Sequence, residues 1–243
     1  MNTWLFDLGN SRLKCAPLHA GTVGAGFAVD HDGAVLPADW QRPLPARFDH
    51  AVVASVAAPA VTVALLDALT GHCDRIARVR TQARCGGVRI AYRQPQHLGV
   101  DRFLALLAAH ARTRHAALIV GVGTALTLDL LDADGLHRGG RIAPAPALMR
   151  AALHARVPQL PAAGGAYAEF ADDTDDALVS GCEGAALGLI ARSREAAASL
   201  LDAPPQVLLH GGGAPALLPR LAGAVHAPAL VLEGLVQWQR SAG

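Results

Sequence analysis

The sequence predicts an α/β protein of two similar halves around a cleft. A strand that runs into a glycine turn occurs at Thr3–Gly9 and again at Leu118–Gly123. Gly9 and Gly123 are 114 residues apart in a chain of 243 residues, which indicates an internal repeat of about half the chain. Hydrophobic residues make up 52% and charged residues 17%, a composition that supports a large core and excludes disorder. Two such halves would place a ligand between them.

Local patterns predict the elements along the chain. Apolar runs bounded by turn residues predict strands at Thr3–Leu8, from Arg12, and at Ala51–Val56, Leu118–Val122, Leu126–Leu131 and Val207–His210. Helical spacing of apolar residues predicts helices at Val61–Leu69, Arg102–Thr113, Thr174–Leu201 and Ala214–Ala222. The predicted boundary divides the chain into residues 1–114 and 115–243.

Charge and hydropathy exclude several classes of protein. The chain has 21 Lys and Arg residues against 20 Asp and Glu, a net charge of +1, and no basic stripe that would predict a nucleic-acid partner. The longest uncharged apolar stretch, Ala116–Leu128, has 13 residues, whereas a membrane span needs about 20. No signal-peptide pattern opens the chain, and the four cysteines lack metal-ligand spacing. We therefore expect a cytoplasmic protein without a membrane or nucleic-acid partner.

The first glycine turn has residue types that suit phosphate groups. Gly9, Asn10 and Ser11 follow the first strand, where backbone N–H groups can approach phosphate oxygens. Lys14 is the only lysine among 21 basic residues, and a compact ammonium suits a phosphate site. Asp7 is predicted either to hold a phosphate-bound Mg²⁺ or to form an Asx-turn with its own backbone. Neither the P-loop pattern nor the dinucleotide pattern occurs in these turns.

An acidic residue stands immediately before a predicted helix. Asp101 is either the N-cap of that helix or a carboxylate that orients a substrate hydroxyl and accepts its proton, and both functions can coexist. Arg102 could bind an anionic substrate group, although the pattern alone favours a solvated arginine in the first helical turn.

The long predicted helix near the C-terminal end of the chain has two unusual features. Thr174 stands at its beginning and is predicted to be its N-cap. Gly181, Gly184 and Gly188 share one face of this helix, and each costs about 1 kcal/mol relative to alanine. Their presence predicts that another helix or a ligand lies close to this backbone.

An ordered set of motifs over essentially the whole chain resembles one family, the type III pantothenate kinases. The motifs are Asp7–Lys14, Ser55–Val56, Tyr92–Arg102, Gly123–Asp129, Gly139–Pro144, Thr174–Gly181, Gly211–Gly213 and Leu232–Leu235. Tyr92–Arg102 is the most specific, because it follows the family pattern Y-x-x-P-x-x-L-G-x-D-R. The resemblance implies a duplicated ribonuclease-H-like fold of the actin-like ATPase type and a homodimer whose pantothenate pocket lies at the subunit interface. It also implies ATP-dependent phosphorylation of pantothenate to 4'-phosphopantothenate, the first step of coenzyme A biosynthesis.

The resemblance further implies a role for each matched residue. Asp101 would be the catalytic base towards the pantothenate hydroxyl. The pantothenate pocket would be lined by Tyr92, Gly99, Val100, Arg102 and, from the other subunit, Thr174. The ATP phosphates would be bound by Asp7, Gly9, Asn10, Ser11, Lys14, Gly123 and Thr124, with Asp7 as the Mg²⁺ ligand. Gly211 and Gly212 would flank the nucleotide.

Gly121 departs from the family pattern, which has an aspartate there that binds a monovalent cation. A glycine supplies only its carbonyl oxygen, so we expect activity to depend little on K⁺ or NH₄⁺. Ala145 replaces a family glycine in a second departure.

Two other functions stay open: a kinase of the same fold that acts on another hydroxyl acceptor, and a non-catalytic or weakly active member that acts as a regulatory accessory factor. The Tyr92–Arg102 segment favours pantothenate as the acceptor.

Overall fold

The computed structural model describes residues 2–113 and 115–242. The chain forms two compact units, Met1–Arg112 together with Ala229–Gly243, and Thr113–Pro228. The boundary predicted from sequence falls at residue 114, which lies outside the described residues. Residues 229–243, which that boundary placed in the second half, group with the first unit instead.

Both units combine helices with a sheet. The strands are β1 (Thr3–Leu8), β2 (Arg12–His19), β3 (Thr22–Val23), β4 (Phe27–Asp30), β5 (Phe48–Ser55), β6 (Cys73–Arg78), β7 (Arg84–Cys85), β8 (Val88–Arg89), β9 (Ala117–Val122), β10 (Ala125–Leu131), β11 (His137–Pro144), β12 (Gln206–His210) and β13 (Val225–His226). The helices are α1 (Pro59–Thr70), α2 (Val100–Arg112), α3 (Pro146–Arg156), α4 (Thr174–Leu201), α5 (Ala214–Leu217) and α6 (Leu230–Ala242). None of the helices within the described ranges is both long and apolar enough to cross a bilayer.

The sheet of the first unit has the strand order β3-β2-β1-β5-β6, with β4 also paired to β2. The central strand β1 is antiparallel to β2 and parallel to β5. Alternate residues of a strand point to opposite faces. Phe6 and Leu8 therefore point into one hydrophobic core, and Asp7 points to the other face.

The C-terminal helix α6 belongs to the first unit because it packs tightly against α2. Gly234 lies against the backbone of Leu104, whose carbonyl oxygen would overlap any side chain at that position. The Arg112 guanidinium and the Glu233 carboxylate join the two helices through a bidentate ion pair. A glycine in this helix thus allows a close approach that no larger residue permits.

The second unit repeats the connectivity of the first. Its sheet has the order β11-β10-β9-β12-β13. The central strand β9 is antiparallel to β10 and parallel to β12, and β12 is parallel to β13. In the first unit β1, β2, β5 and β6 are related in the same way. The internal repeat that the two glycine turns indicated is therefore a repeat of topology, and the predicted α/β fold of two similar halves is confirmed.

Two local predictions differ from the structure. Helix α3 was not predicted, and none of its residues is buried. The helix predicted over Ala214–Ala222 is shorter, since α5 ends at Leu217 and a 3₁₀ turn follows at Leu218–Arg220. Pro219 explains this change because it lacks the N–H that would continue the α-helical pattern.

Candidate active site

The turn between β1 and β2 has a tight backbone geometry. The Gly9 N–H donates to the Arg12 carbonyl at 2.9 Å. A Cβ at Gly9 would lie only 3.2 Å from that same oxygen, closer than ordinary van der Waals contact. Asn10 and Ser11 form the exposed tip of the turn. The Gly9 N–H is thus bonded within the turn, while the turn exposes the backbone of the two residues that follow it.

His31, which sequence analysis missed, braces this turn. Its backbone N–H donates to the Ser11 carbonyl at 2.9 Å, and its Nε2 lies 3.1 Å from the Gly9 carbonyl. The Gly33 N–H donates to Nδ1 at 3.1 Å, so Nε2 is the nitrogen that carries the proton and donates to Gly9. The two residues are 22 positions apart, and only the pairing of β4 with β2 brings them together.

Asp7 and Lys14 face each other across β1 and β2, and the carboxylate lies 4.0 Å from the ammonium. Asp7 is only 7% exposed. Burial raises the pKa of the Asp7 carboxyl to about 6, an effect that Lys14 opposes and the negative charge of Asp101 increases. The Gly9 N–H, which an Asx-turn would use, is bonded to Arg12. Asp7 is therefore a buried carboxylate that does not accept the Gly9 N–H, so the alternative of an Asx-turn is wrong.

Asp101 is the second residue of α2, not the residue before it. The prediction that it is the N-cap is wrong, because the helix begins two residues earlier than the apolar spacing indicated. A Cβ at Gly99 would lie 2.5 Å from Asp101 Oδ1, so the carboxylate occupies the space that a side chain at Gly99 would need. The charge of Asp101 acts on the pKa of Asp7, which places both carboxyl groups in one electrostatic environment.

Arg102 is 7% exposed, so the expectation of a solvated arginine is wrong. Its Nη1 donates to the Tyr92 hydroxyl at 3.2 Å, and its guanidinium carbon lies 5.9 Å from the centre of the Tyr92 ring. Val100 is buried beside it in the first turn of α2. The Thr81 hydroxyl donates to the Leu98 carbonyl at 2.8 Å, which holds the loop before α2 in place. The structure thus brings the predicted Tyr92–Arg102 residues together, and Thr81 is a support that no motif indicated.

Two glycine turns of the second unit lie next to each other. Gly123–Thr124 connects β9 to β10 and is exposed. Gly211–Gly213 follows β12, and the Gly213 N–H donates to the Val122 carbonyl at 2.9 Å. Gly211 has φ +95° and lies against the Val122 backbone, where a Cβ would clash. The turn after β12 therefore packs against the end of β9, where the Gly123–Thr124 turn begins.

Gly121 lies between Thr127 and His210 on the neighbouring strands β10 and β12. A Cβ at Gly121 would lie 2.6 Å from Thr127 Oγ1 and 2.9 Å from His210 Nε2. Both side chains therefore use the space that the glycine leaves open. Sequence analysis missed His210, and its position immediately before Gly211 is the signal that could have identified it.

Thr174 is the first residue of α4, and Asp173 is the N-cap, whose carboxylate accepts from the Asp176 N–H at 2.9 Å. The prediction that Thr174 is the cap is wrong. Thr174 is exposed and lines an open cavity of about 520 Å³ that Leu160 and Leu178 also line.

The glycine face of α4 is open in the described part of the chain. No described atom lies within 4 Å of a Cβ built at Gly181 or at Gly188, and the Tyr167 hydroxyl lies 4.0 Å from one built at Gly184. Among described residues outside the helix, the Tyr167 side chain therefore approaches this face at Gly184, whereas the space beside Gly181 and Gly188 is open.

Comparison with known proteins identifies the family. Residues 4–196 match the model of a family described as type III pantothenate kinase. The chain belongs to the type III pantothenate kinase family. A type III pantothenate kinase from Stenotrophomonas maltophilia (strain K279a) is 56% identical over 238 residues, which cover 98% of this chain and 97% of the relative. One from Xylella fastidiosa (strain M23) is 53% identical with the same coverage.

Solved structures of other proteins have the same fold as this chain. A Campylobacter jejuni protein, provisionally named a Baf family transcriptional activator, has a TM-score of 0.65 at 18% identity and covers 98% of this chain and 97% of its own. A Sinorhizobium meliloti protein, provisionally named a 2-dehydro-3-deoxygalactonokinase, has a TM-score of 0.59 at 15% identity and covers 99% of both chains. Identities this low concern the fold alone, which is the actin-like and sugar-kinase ATPase fold that the resemblance implied.

Proposed function

We propose that this chain transfers the γ-phosphate of ATP to pantothenate and releases 4'-phosphopantothenate, the first step of coenzyme A biosynthesis. Its membership of the type III pantothenate kinase family supports the reaction. The observation in the structure that carries it is the pairing of the buried Asp7 with Lys14 beside the Gly9–Ser11 turn, at a place where the charge of Asp101 also acts on Asp7. One of these carboxyl groups stands beside a phosphate-type turn and the other beside a buried arginine. Because the phosphoryl donor is ATP, we assign the reaction to the cytoplasm.

Asp101 and Arg102 form the acceptor end of the proposed site. The Asp101 carboxylate orients the pantothenate hydroxyl and accepts its proton as the oxygen bonds to the γ-phosphorus. The bond from that phosphorus to the bridging oxygen breaks at the same time, and ADP leaves. The Arg102 guanidinium, held against Tyr92, suits the carboxylate of pantothenate. Gly99 and Val100 shape the pocket between them.

Asp7 and Lys14 form the donor end. Burial raises the pKa of the Asp7 carboxyl although the Lys14 ammonium lies 4.0 Å away, so Mg²⁺ beside it would further stabilise the ionised form. No group of three His, Cys, Asp or Glu side chains in the described residues could hold a metal ion, so Asp7 would share Mg²⁺ with phosphate oxygens and water. The ion, when bound, offsets charge on the phosphates. Lys14 and the turn at Gly9–Ser11 bind phosphate oxygens in addition.

The second unit supplies further nucleotide contacts in this proposal. The exposed backbone of Gly123–Thr124 binds phosphate oxygens, and Gly211 and Gly212 flank the nucleotide. The tight packing of Gly211 and Gly213 on Val122 supports this assignment, because a turn fixed in advance loses little entropy when an anion binds.

The structure of the second unit also bears on the monovalent cation. The space at Gly121, where the family has an aspartate, is used by Thr127 and His210. The nearby carboxylate of Asp129 is buried and lies 2.9 Å from His137 Nε2, so it is already engaged. We therefore expect little dependence of the reaction on K⁺ or NH₄⁺.

A homodimer completes the proposal. Ile142 and Phe170 are 65% and 100% exposed, and Gly181 and Gly188 on α4 have open space beside them. A second copy of the chain packed on these residues of the second unit would bury both features. Thr174 of one subunit would then line the pantothenate pocket of the other.

The decisive experiment is a coupled assay of ADP release with Mg²⁺, ATP and pantothenate. Pantothenate-dependent ADP release is expected, and its rate should be the same when K⁺ replaces Na⁺ at constant ionic strength. Sugar acceptors such as N-acetylhexosamines serve as controls. Turnover with a sugar and none with pantothenate would overturn the proposed substrate, and no turnover with any acceptor would favour the regulatory alternative.

A further inference from the structure

On three neighbouring strands of the second unit, Thr127, Gly121 and His210 occupy directly paired positions, which we call one level of the sheet. Gly121 on β9 pairs with Thr127 on β10 and with His210 on β12. Side chains at directly paired positions point to the same face of a sheet. Because the middle residue is glycine, the two outer side chains meet no Cβ between them, and both lie within 3 Å of the point where it would be.

The first unit has a different set of residues at the same level. There Asp7 on β1 pairs with Lys14 on β2 and with Ala54 on β5. Its charged groups are on the central strand and the hairpin strand. In the second unit these two strands have Gly121 and Thr127, and the one group able to carry charge, His210, is on the third strand.

His210 also stands next to both glycine turns of its unit. It is the residue immediately before Gly211, and its paired residue Gly121 is two positions before Gly123. The hydrogen bond from the Gly213 N–H to the Val122 carbonyl keeps the two turns together. The imidazole is half-buried, so its position is restrained by the sheet while part of it stays accessible.

We propose that His210 binds the nucleotide phosphates, donating a ring N–H to an anionic phosphate oxygen held by the two glycine turns. This inference rests on the proposed function of these turns and adds a side-chain ligand to them. An imidazole can donate from either nitrogen and carries a positive charge when protonated, so it suits a phosphate better than the neutral Thr127 does. Gly121 is the residue that gives the ring room to lie there.

The test measures nucleotide binding without pantothenate. Calorimetric titration of the protein with ADP and Mg²⁺ is compared for the unchanged chain, His210→Ala and His210→Gln. A lost hydrogen bond to a charged group predicts about 10-fold weaker binding for His210→Ala or more. Gln also has an N–H donor, so His210→Gln should recover part of the affinity. His226→Ala, an exposed histidine on β13 of the same unit, is the matched control and should bind ADP normally.

Nuclear magnetic resonance gives a second readout that a space-filling role would not change. The ring signals of His210 are identified by their loss in His210→Gln, and they should shift when ADP and Mg²⁺ are added. Unshifted signals, ADP affinity within twofold of normal in His210→Ala, or an affinity loss in His210→Ala that Gln does not restore at all would each overturn the inference. The proposed acceptor is tested separately, because absence of pantothenate-dependent ADP release leaves these binding results intact.

Discussion

The two units have the same strand connectivity and different chemistry at the same place. In the first unit the level that precedes the glycine turn carries a buried carboxylate and an ammonium, Asp7 and Lys14. In the second unit it carries Gly121, flanked by Thr127 and His210. The repeated backbone therefore places a glycine turn in each unit. The side chains at the paired positions before each turn determine what that turn can bind.

The electrostatic consequences differ between the units. Burial of Asp7 makes its ionised form costly, which its raised pKa expresses, and a cation relieves this cost. Gly121 has no charge to compensate. In the proposed function, the first unit would therefore hold the divalent metal, and the second unit would contact the phosphates through neutral groups and His210.

The largest effect is expected for Asp7→Asn, which removes the charge that distinguishes the first unit. The proposed metal ligand is lost, so kcat should fall by about 10³-fold, the upper range for one electrostatic group. In the unchanged chain the acid limb of the kcat/KM profile for ATP should lie near pH 6, because protonated Asp7 cannot bind Mg²⁺.

Asp7→Asn should lower turnover but raise the stability of the folded chain. The pKa of Asp7 is raised in the folded chain from 3.8 to about 6. The folded state therefore holds this proton more tightly, and its stability decreases as pH rises through the window from about 4 to 6. Asp7→Asn removes this loss, so without nucleotide its melting temperature should exceed that of the unchanged chain more at pH 8 than at pH 4. An equal difference at both pH values would contradict the account.

Asp101→Asn should have the next largest effect. The side chain loses its ability to accept the hydroxyl proton, which predicts a fall in kcat of about 10²-fold or more with little change in melting temperature. Loss of a negative charge that acts on Asp7 should also move the acid limb of ATP binding to lower pH. Near-normal turnover would reduce Asp101 to a residue that only stabilises the first turn of α2.

Lys14→Met tests whether the Lys14 ammonium contributes to ATP binding. The KM for ATP should rise by about 10-fold, the scale of one charge-assisted contact, while pantothenate affinity stays unchanged. Lys14→Arg should rescue only part of the effect, since a guanidinium is broader than an ammonium. Unchanged nucleotide affinity and kinetics in Lys14→Met would remove Lys14 from the site.

Gly121→Asp makes the second unit resemble the first and should have the smallest effect on turnover. The new Cβ would lie 2.6 Å from Thr127 Oγ1 and 2.9 Å from His210 Nε2. Such overpacking costs about 1–3 kcal/mol of unfolding free energy, measurable by urea denaturation. The double variant with His210→Ala should lose less stability than Gly121→Asp alone, and a greater loss would show that the ring does not use this space.

Much of the candidate site could be proposed from the sequence because its signals are local. The apolar runs before Gly9 and Gly123, and the spacing within Tyr92–Arg102, occur over a few neighbouring positions. Such a pattern can be recognised in the sequence without knowing which other segments pack against the strand. The two-unit fold and the family were therefore accessible from the sequence alone.

Only the tertiary structure decided which side chains are buried and which residues meet. Arg102 has the pattern of a solvated residue and is buried, and α6 is distant in sequence from the unit that it completes. His31 meets Gly9 through the pairing of β4 with β2, and His210 meets Gly121 through the pairing of β12 with β9. These contacts join residues that are far apart in the chain. The spacing of residues within a short segment cannot predict them, because the pairing of distant strands determines which residues meet.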